Sequence, residues 1–589
     1  MCGIIGYIGD SKASPILLNG LRKLEYRGYD SAGMATVNEG KIEIRKDAGR
    51  IDKIDSDLNF GEMGGTIGIG HTRWATHGGV TQANAHPHVS NNRKIAVIHN
   101  GIVENFQELR KFLKDKGFNF YSETDTEVIP NLIEFEMRGG KNFEEAVISI
   151  LKKLEGYYAV LALNEDERKL IGARRGSPLV AGIDGKNFFI ASDIPAFLEH
   201  TKKVIYLYDS DVIILDDKFR IFNLLENKFV DRSIDSIEWN LDQAMKGDFD
   251  HFMLKEISEQ VDTVKKAMSH SNEVIDKIVG EIKKSKGVFF VACGTAYHAC
   301  LAASYVFSKV ANMHINVVLA SEFRNYEHFL KKDTLVIAVS QSGETIDTID
   351  AVKVAREKGS KVISIVNVMG SSLTRYSDDF LLTNAGPEIC VLATKSYTAQ
   401  VALLTLLAYA IVGKLDETKS KLNYIWNIIY NLTSKTTRDA IKELAEKLKY
   451  EEDIFLIGRG LQYSTALEAA LKIKEVSYIH AEAFAGGELK HGTIALIEEG
   501  TPCIVFVSEE NEKEIISNAI EVKSRGGFIV GVAPKKNEVF DFWIKVPEAN
   551  NFNPIVQIIP IQILAYQLAV LRGCDPDKPR NLAKSVTVK

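Results

Sequence analysis

The sequence predicts a multidomain chain: one α+β domain built on sheets, then two tandem α/β units with doubly wound parallel sheets. Three observations carry that expectation. At 589 residues the chain far exceeds the ~250–300 at which a single hydrophobic core stops growing. Its first part breaks into short apolar runs, whereas the rest alternates such runs with long helical stretches. The second part also repeats itself in order and spacing.

Residues 1–230 form the first predicted domain. The runs 66–70, 94–98, 157–163, 188–191 and 212–215 are bounded by Gly, Asn and Asp and read as strands. Helical patterns lie at 14–24, 102–116 and 126–138. The polar stretch 231–252, with Trp239 and the Gly247-Asp248 pair, reads as a linker. From there the runs 287–292, 334–339, 361–367, 454–458, 503–507 and 528–532 alternate with helices. The predicted units are 253–425 and 426–575, with a tail at 576–589.

The repeat is explicit. Phe289-Phe290-Val291-Ala292-Cys293-Gly294 matches Phe455-Leu456-Ile457-Gly458-Arg459-Gly460, and each precedes an Ala-rich helix. Gly294 to Gly460 and Ser340 to Ser508 set the copies 166 and 168 residues apart. They differ after the next strand. The first copy has Ser340-Gln341-Ser342-Gly343-Glu344-Thr345, the second Ser508-Glu509-Glu510-Asn511-Glu512-Lys513. A Ser/Gly-rich loop entering a helix offers hydroxyls and free N–H groups to an anion, reinforced by the helix dipole. The acidic loop would repel one, so the pattern predicts a single phosphate site, in the first copy.

Composition narrows the remaining classes. Hydrophobic content of 45% and charged content of 25% are ordinary for a globular chain. The net charge is −6 with no long basic run, so neither nucleic acid nor an anionic membrane is expected as a partner. No transmembrane helix and no signal peptide are expected. The six cysteines are scattered without a CxxC pair, which speaks against disulfides and zinc and for a reducing cytoplasm.

Cys2 follows Met1, and a small second residue permits removal of the methionine. A terminal cysteine then holds a nucleophile and a base on one residue, because its α-amine (reference pKa near 7.7–8.0) can accept the thiol proton. Cys2-Gly3-Ile4-Ile5-Gly6 is an apolar strand start that would bury the thiol in a sheet. Further on stand Leu24-Glu25-Tyr26-Arg27-Gly28-Tyr29-Asp30-Ser31-Ala32-Gly33, Gly70-His71-Thr72-Arg73-Trp74-Ala75-Thr76-His77-Gly78, His99-Asn100-Gly101 and Thr124-Asp125-Thr126-Glu127. Together these resemble, in order, the glutaminase domain of the N-terminal-nucleophile (class II) amidotransferases.

The resemblance implies an αββα fold and a set of roles. Cys2 would attack the glutamine amide and form a γ-glutamyl thioester. The Asn100 side chain and the Gly101 N–H would form the oxyanion hole. Arg73 would pair with the α-carboxylate of glutamine and Asp125 with its α-ammonium. Trp74, Thr76 and His77 would lie in a loop closing over it, with Trp74 also gating an ammonia channel. The histidines His71, His77, His86, His88 and His99 include no HExxH helix, so no metal is expected.

The second part decides what receives the ammonia. Cys293-Gly294-Thr295, the loop 340–345 and Gly487-Glu488-Leu489-Lys490-His491-Gly492 resemble paired sugar isomerase (SIS) domains. With the tail Asp577-Lys578-Pro579-Arg580-Asn581-Leu582-Ala583-Lys584-Ser585-Val586-Thr587-Val588, the whole is similar to the isomerizing glutamine–fructose-6-phosphate aminotransferases. That family makes glucosamine 6-phosphate, opening amino sugar biosynthesis. The resemblance implies that Ser340, Gln341, Ser342 and Thr345 bind the sugar phosphate and that Thr295, Val391 and Ala583 contact the sugar. His491 would assist ring opening from the neighbouring subunit, which implies a homodimer. Lys584 would form a Schiff base, Glu475 would move the proton between C1 and C2, and Lys472 would assist it. No cofactor is implied, because the chemistry needs an amine, a base and no redox step. Ala393, Ala296 and Thr493 stand where relatives usually carry Ser, Ser and Pro. The first two leave open an amidotransferase acting on a different sugar phosphate. A non-catalytic sugar-phosphate sensor would need neither Cys2 nor Lys584.

Overall fold

The computed structural model describes residues 2–75, 78–237 and 246–587. Two compact units emerge, Met1–Leu241 with Ala583–Lys589, and Asp242–Leu582.

The first unit holds an eight-stranded and a seven-stranded sheet, each with antiparallel pairing throughout. Strand Gly3–Ile8 sits inside the larger sheet, between Asn187–Ala191 and Ile67–Arg73. Its alternation serves two cores. Ile4 and Ile8 pack with Ile98, Leu161 and Ile213 between the sheets, while Ile5 and Tyr7 pack beneath helix Ala13–Leu24. That helix buries Leu17, Leu21 and Leu24, one stripe at helical spacing. Helices Val128–Arg138 and Phe143–Leu151 cover the smaller sheet, the latter entered through an Asn142/Glu145 capping box. The layers are therefore α, β, β, α.

The second unit carries two five-stranded sheets with parallel pairing throughout. In space the first runs Asn316–Leu319, Gly287–Ala292, Thr334–Ser340, Lys361–Val366, Asp379–Leu382. The second runs His480–Ala485, Asp453–Gly458, Pro502–Phe506, Phe528–Ala533, Phe542–Lys545. Both orders are 2-1-3-4-5, so the repeat read in the sequence is a repeat of topology. Each sheet changes direction between its first and third strands, and ligands of such sheets sit outside the carboxyl ends at that point. Helix Asn553–Leu571 runs through the shared core, with Gln557 and Gln562 engaged by Val507 and Gln260. The helical span Asn550–Leu571, with mean hydropathy 1.7, is long and apolar enough to cross a membrane, a segment the sequence reading passed over, yet 83% of its apolar window is buried inside the protein.

Two element assignments are corrected. The expected helix 102–116 begins only at Phe106, because strand Ile95–Val103 pairs with Gly156–Asn164 to its last residue. The hairpin Ser31–Asn38/Lys41–Ala48 went unread, as did the edge strands of both parallel sheets, which are short or half-exposed.

Candidate active sites

Cys2 lies just ahead of strand Gly3–Ile8, where backbones approach closely. A Cβ on Gly3 would fall 2.6 Å from Thr72 Oγ1. The Cys2 sulfur accepts the Trp74 N–H at 3.2 Å and donates to the Trp74 carbonyl at 3.5 Å. Burial pushes the thiol up, while the Trp74 N–H and the Arg73 charge pull the other way. Asn100 reaches the same point from the opposite sheet, its Nδ2 donating to the Cys2 carbonyl at 2.9 Å. Gly101 adopts φ +115, and a Cβ there would lie 1.9 Å from the Tyr157 carbonyl oxygen, so only glycine fits.

Around this pair stand Arg73 and Asp125, both buried. The Arg73 guanidinium donates to the Gly79 and Gly78 carbonyls at 3.1 and 3.3 Å. Burial lowers its pKa, opposed by Cys2, Asp125 and Asp30. Asp125 accepts the Val103 N–H at 2.7 Å. Trp74 meets Tyr29 edge-on at 5.6 Å, and Asp30 accepts the Ala75 N–H at 2.9 Å. Thr76 and His77 lie outside the described residues.

Beneath the pair is a layer of buried histidines. His71 stacks on His86 at 4.1 Å, and His86 meets His88 at 4.8 Å. His86 Nδ1 accepts the His99 N–H at 3.3 Å. Burial holds all four rings neutral, with His71 lowered to about 3 and His86 and His88 well below the usual histidine range. Among the described residues, no three His, Cys, Asp or Glu side chains are placed to hold a metal ion.

In the second unit, the loop after strand Thr334–Ser340 folds on its own hydroxyls. Ser340 Oγ accepts the Gly343 N–H at 3.1 Å and stands 3.2 Å from Thr345 Oγ1, while Ser342 Oγ accepts the Glu344 N–H at 3.1 Å. Thr345 opens helix Ile346–Glu357 without capping it, which leaves first-turn N–H groups uncapped by its side chain. The Glu344 carboxylate is taken up by Ser372, at 2.7 Å to its N–H and 2.6 Å to its hydroxyl. The Gln341 side chain is half-buried beside the loop.

Helix Leu461–Ser477 carries a buried ion network. The Lys472 ammonium stands 2.7 Å from Glu475, 3.3 Å from Glu468 and 3.0 Å from Thr295 Oγ1. Thr295 donates to Glu468 at 3.0 Å, and His298 Nδ1 lies 2.8 Å from its other oxygen. Burial alone would depress the Lys472 ammonium, but the two carboxylates outweigh it and hold it charged. The loop bearing Val391 is pinned by carboxylates: Glu256 accepts the Ile389 and Cys390 N–H groups, and Glu388 those of Thr394 and Ser396. The Val391 N–H donates to the Asp577 carbonyl at 3.1 Å, while the Asp577 carboxylate caps helix Phe252–Ser258.

Thus Cys2, Asn100, Gly101, Arg73, Trp74 and Asp125 gather in the first unit, and Thr295, Lys472 and Glu475 gather in the second. His491 ends the short helix Glu488–His491 and is exposed. Ala583 and Lys584 are half-buried and group with the first unit. The sequence reading missed Glu468, His298, Glu256 and Glu388. Glu468 was within reach, since Glu468, Lys472 and Glu475 recur at helical spacing.

An antiparallel αββα unit with a thiol, an amide and a guanidinium at one sheet end, joined to tandem parallel α/β units, defines a glutamine amidotransferase fused to a SIS pair. The comparisons agree. The glutamine amidotransferase domain family matches residues 71–199, and the SIS domain family matches 281–410 and 447–572. Glutamine–fructose-6-phosphate aminotransferases (isomerizing) from Thermococcus kodakarensis and Pyrococcus horikoshii are 48% and 46% identical, over all of this chain and all of theirs. The solved C-terminal domain of the glucosamine-fructose-6-phosphate aminotransferase from Francisella tularensis is similar to 56% of this chain and 99% of its own, at 33% identity and TM-score 0.53. The chain belongs to the isomerizing glutamine–fructose-6-phosphate aminotransferase family.

Proposed function

We propose that this chain converts glutamine and fructose 6-phosphate into glutamate and glucosamine 6-phosphate, with Cys2 exposed as the amino terminus once Met1 is removed. The observation that supports this most directly is the convergence of Cys2 with Asn100, Gly101, Arg73 and Asp125. Cys2 attacks the glutamine amide carbon, and the Asn100 amide and Gly101 N–H receive the negative charge that develops on oxygen. Arg73 and Asp125 hold the α-carboxylate and α-ammonium. The Trp74 main chain holds the sulfur, and its side chain closes the site.

In the second unit the hydroxyls of Ser340, Ser342 and Thr345, with Gln341, take the phosphate, trading their internal hydrogen bonds for charged ones. Thr295, Val391 and Ala583 contact the sugar. Lys584 condenses with the open-chain ketone, releasing water. Ammonia displaces the lysine, and Glu475 moves a proton from C1 to C2 to give the aldose. Lys472, 2.7 Å from Glu475, holds that carboxylate in place. The exposed position of His491 fits a role in a neighbouring subunit's site, hence a homodimer. The soluble, disulfide-free pattern fits the cytoplasm, and the product suits amino sugar biosynthesis.

The test is incubation with glutamine and fructose 6-phosphate, with product followed by mass spectrometry beside Cys2→Ala. Expected are glucosamine 6-phosphate from the parent chain, none from the variant on glutamine, restoration by ammonium, and an intact mass lacking Met1. Glutamine hydrolysis with fructose 6-phosphate left untouched would refute the acceptor.

A further inference from the structure

We propose that His71 is a positioning residue that sets which way the Asn100 amide points. This rests on the reading of Asn100 as an oxyanion donor, and it assigns the residue that makes that donor available.

An asparagine amide has two ends of nearly equal size, and only the NH₂ end can stabilise an oxyanion. Two neighbours fix which end faces the thiol here. The Cys2 main-chain carbonyl can only accept, and it lies 2.9 Å from Asn100 Nδ2. On the far side, His71 Nε2 lies 3.0 Å from Asn100 Oδ1 and 3.1 Å from the His99 carbonyl. Both of those oxygens can only accept, so Nε2 must carry the ring proton. A neutral imidazole has one N–H, and Nδ1 is then bare, which agrees with its being buried and without a partner. Burial depresses the His71 pKa, so the ring stays in this neutral form across the working range.

The arrangement is directional. With His71 donating to Oδ1, a flipped amide would put its NH₂ against the imidazole N–H and its oxygen against the Cys2 carbonyl. Both contacts would be repulsive. One N–H of the NH₂ group holds the Cys2 carbonyl, and the second stays available for the developing oxyanion. His71 itself is fully buried in strand Ile67–Arg73 and touches neither glutamine nor the sulfur in this scheme.

The test is a double-mutant cycle on full-length protein with glutamine hydrolysis as readout. His71→Leu keeps the volume and removes the donor. It should lower kcat about tenfold or more with KM for glutamine little changed, and it should leave ammonium-dependent synthesis intact. His71→Gln, which keeps an N–H donor, should recover part of the loss. Alkylation of Cys2 by iodoacetamide forms no oxyanion and should proceed at the parent rate. In an Asn100→Ala background, His71→Leu should add little, because its partner is gone. A full additional loss in that background, or a raised KM with unchanged kcat, would overturn the positioning role. If Asn100→Ala alone leaves kcat unchanged, the oxyanion reading falls and takes this inference with it. A loss on Asn100→Ala without one on His71→Leu removes the inference only.

Discussion

Beneath Cys2 lies a layer of buried histidines held neutral, whereas on helix Leu461–Ser477 the buried Lys472 ammonium is held charged by the neighbouring Glu468 and Glu475 carboxylates. The contrast follows from what packs nearby. The histidine layer lies between sheets whose facing side chains are aliphatic, and its rings hydrogen-bond to carbonyls, hydroxyls and amides. Helix Leu461–Ser477 instead stacks opposite charges on one face, so each ion brings its own counter-ion into the core. Neutral groups tolerate burial one at a time, whereas buried ions tolerate it only together.

The sharpest way to break the comparison is to remove one ion. Lys472→Met leaves Glu468 and Glu475 facing each other without a cation. The expected loss is about 3–5 kcal/mol of stability in the second unit, read by urea unfolding, with glutaminase activity retained. His88→Gln, its neutral counterpart, loses a hydrogen bond to Thr124 and is expected to cost about 1 kcal/mol. Equal losses from the two variants would show that charge is not what distinguishes the sites.

Acid separates them next. The four histidines have folded pKa values below the unfolded value near 6.5. The unfolded chain therefore binds more protons below that pH. Their stabilising contribution is present above pH 6.5 and falls as pH drops, by about 1.4 kcal/mol per pH unit for each ring. Lys472 has the opposite sign. Its raised value means a contribution fully present below the unfolded lysine value near 10.4 and lost only as pH rises beyond it. Hydrogen exchange at pH 7.5, 6 and 5 should show strand Ile67–Arg73 losing protection while strand Asp453–Gly458 holds. Parallel loss in both strands would remove the histidine layer as the cause.

Within the second unit a finer contrast separates the two copies. In the second copy, Asn511 Oδ1 accepts the Ser508 N–H at 2.8 Å, its Nδ2 donates to Gln462 at 3.0 Å, and Glu510 pairs with Lys309. That loop is held by Asn511 and by side chains of two neighbouring helices. Ser342→Ala should raise KM for fructose 6-phosphate about 10- to 100-fold, the worth of a hydrogen bond to a charged group. Ser508→Ala should leave KM unchanged. A shift with Ser508→Ala would mean that both copies bind phosphate.

Legibility in the sequence followed locality. Central strands were readable because their apolar runs are continuous and buried on both faces, as in Thr334–Ser340. Edge strands such as Phe542–Lys545 were not, since half-exposed residues leave no run to see. The end of strand Ile95–Val103 was misread as helix because its pairing partner lies far along the chain. Cys2, Asn100 and Asp125 were singled out through motif order, and the loop 340–345 through its hydroxyls. Glu256 and His298 act through contacts with residues distant in sequence, and no local pattern marks those; Glu388 holds Thr394 and Ser396 within its own loop, where no regular period betrays it. His71 was visible only as one of several histidines, and its bond to Asn100 required the two sheets to be assembled.

The smallest expected effect tests a departure from the family. Ala393 stands on the pinned loop beside Val391, where the family resemblance implies a serine hydroxyl. Its surroundings are held by Glu388, which accepts the Thr394 and Ser396 N–H groups at 2.9 and 3.0 Å, so a side chain added at 393 would meet a fixed frame. Ala393 is half-exposed, which leaves room for one oxygen without displacing core atoms. Ala393→Ser should therefore add one neutral hydrogen bond to the sugar and lower KM for fructose 6-phosphate several-fold, in line with about 1 kcal/mol. The Ser342→Ala/Ala393→Ser double variant should show both shifts, because a phosphate contact and a hydroxyl contact do not share a partner. A gain that vanishes in the Ser342→Ala background would place the added hydroxyl at the phosphate instead of the sugar ring.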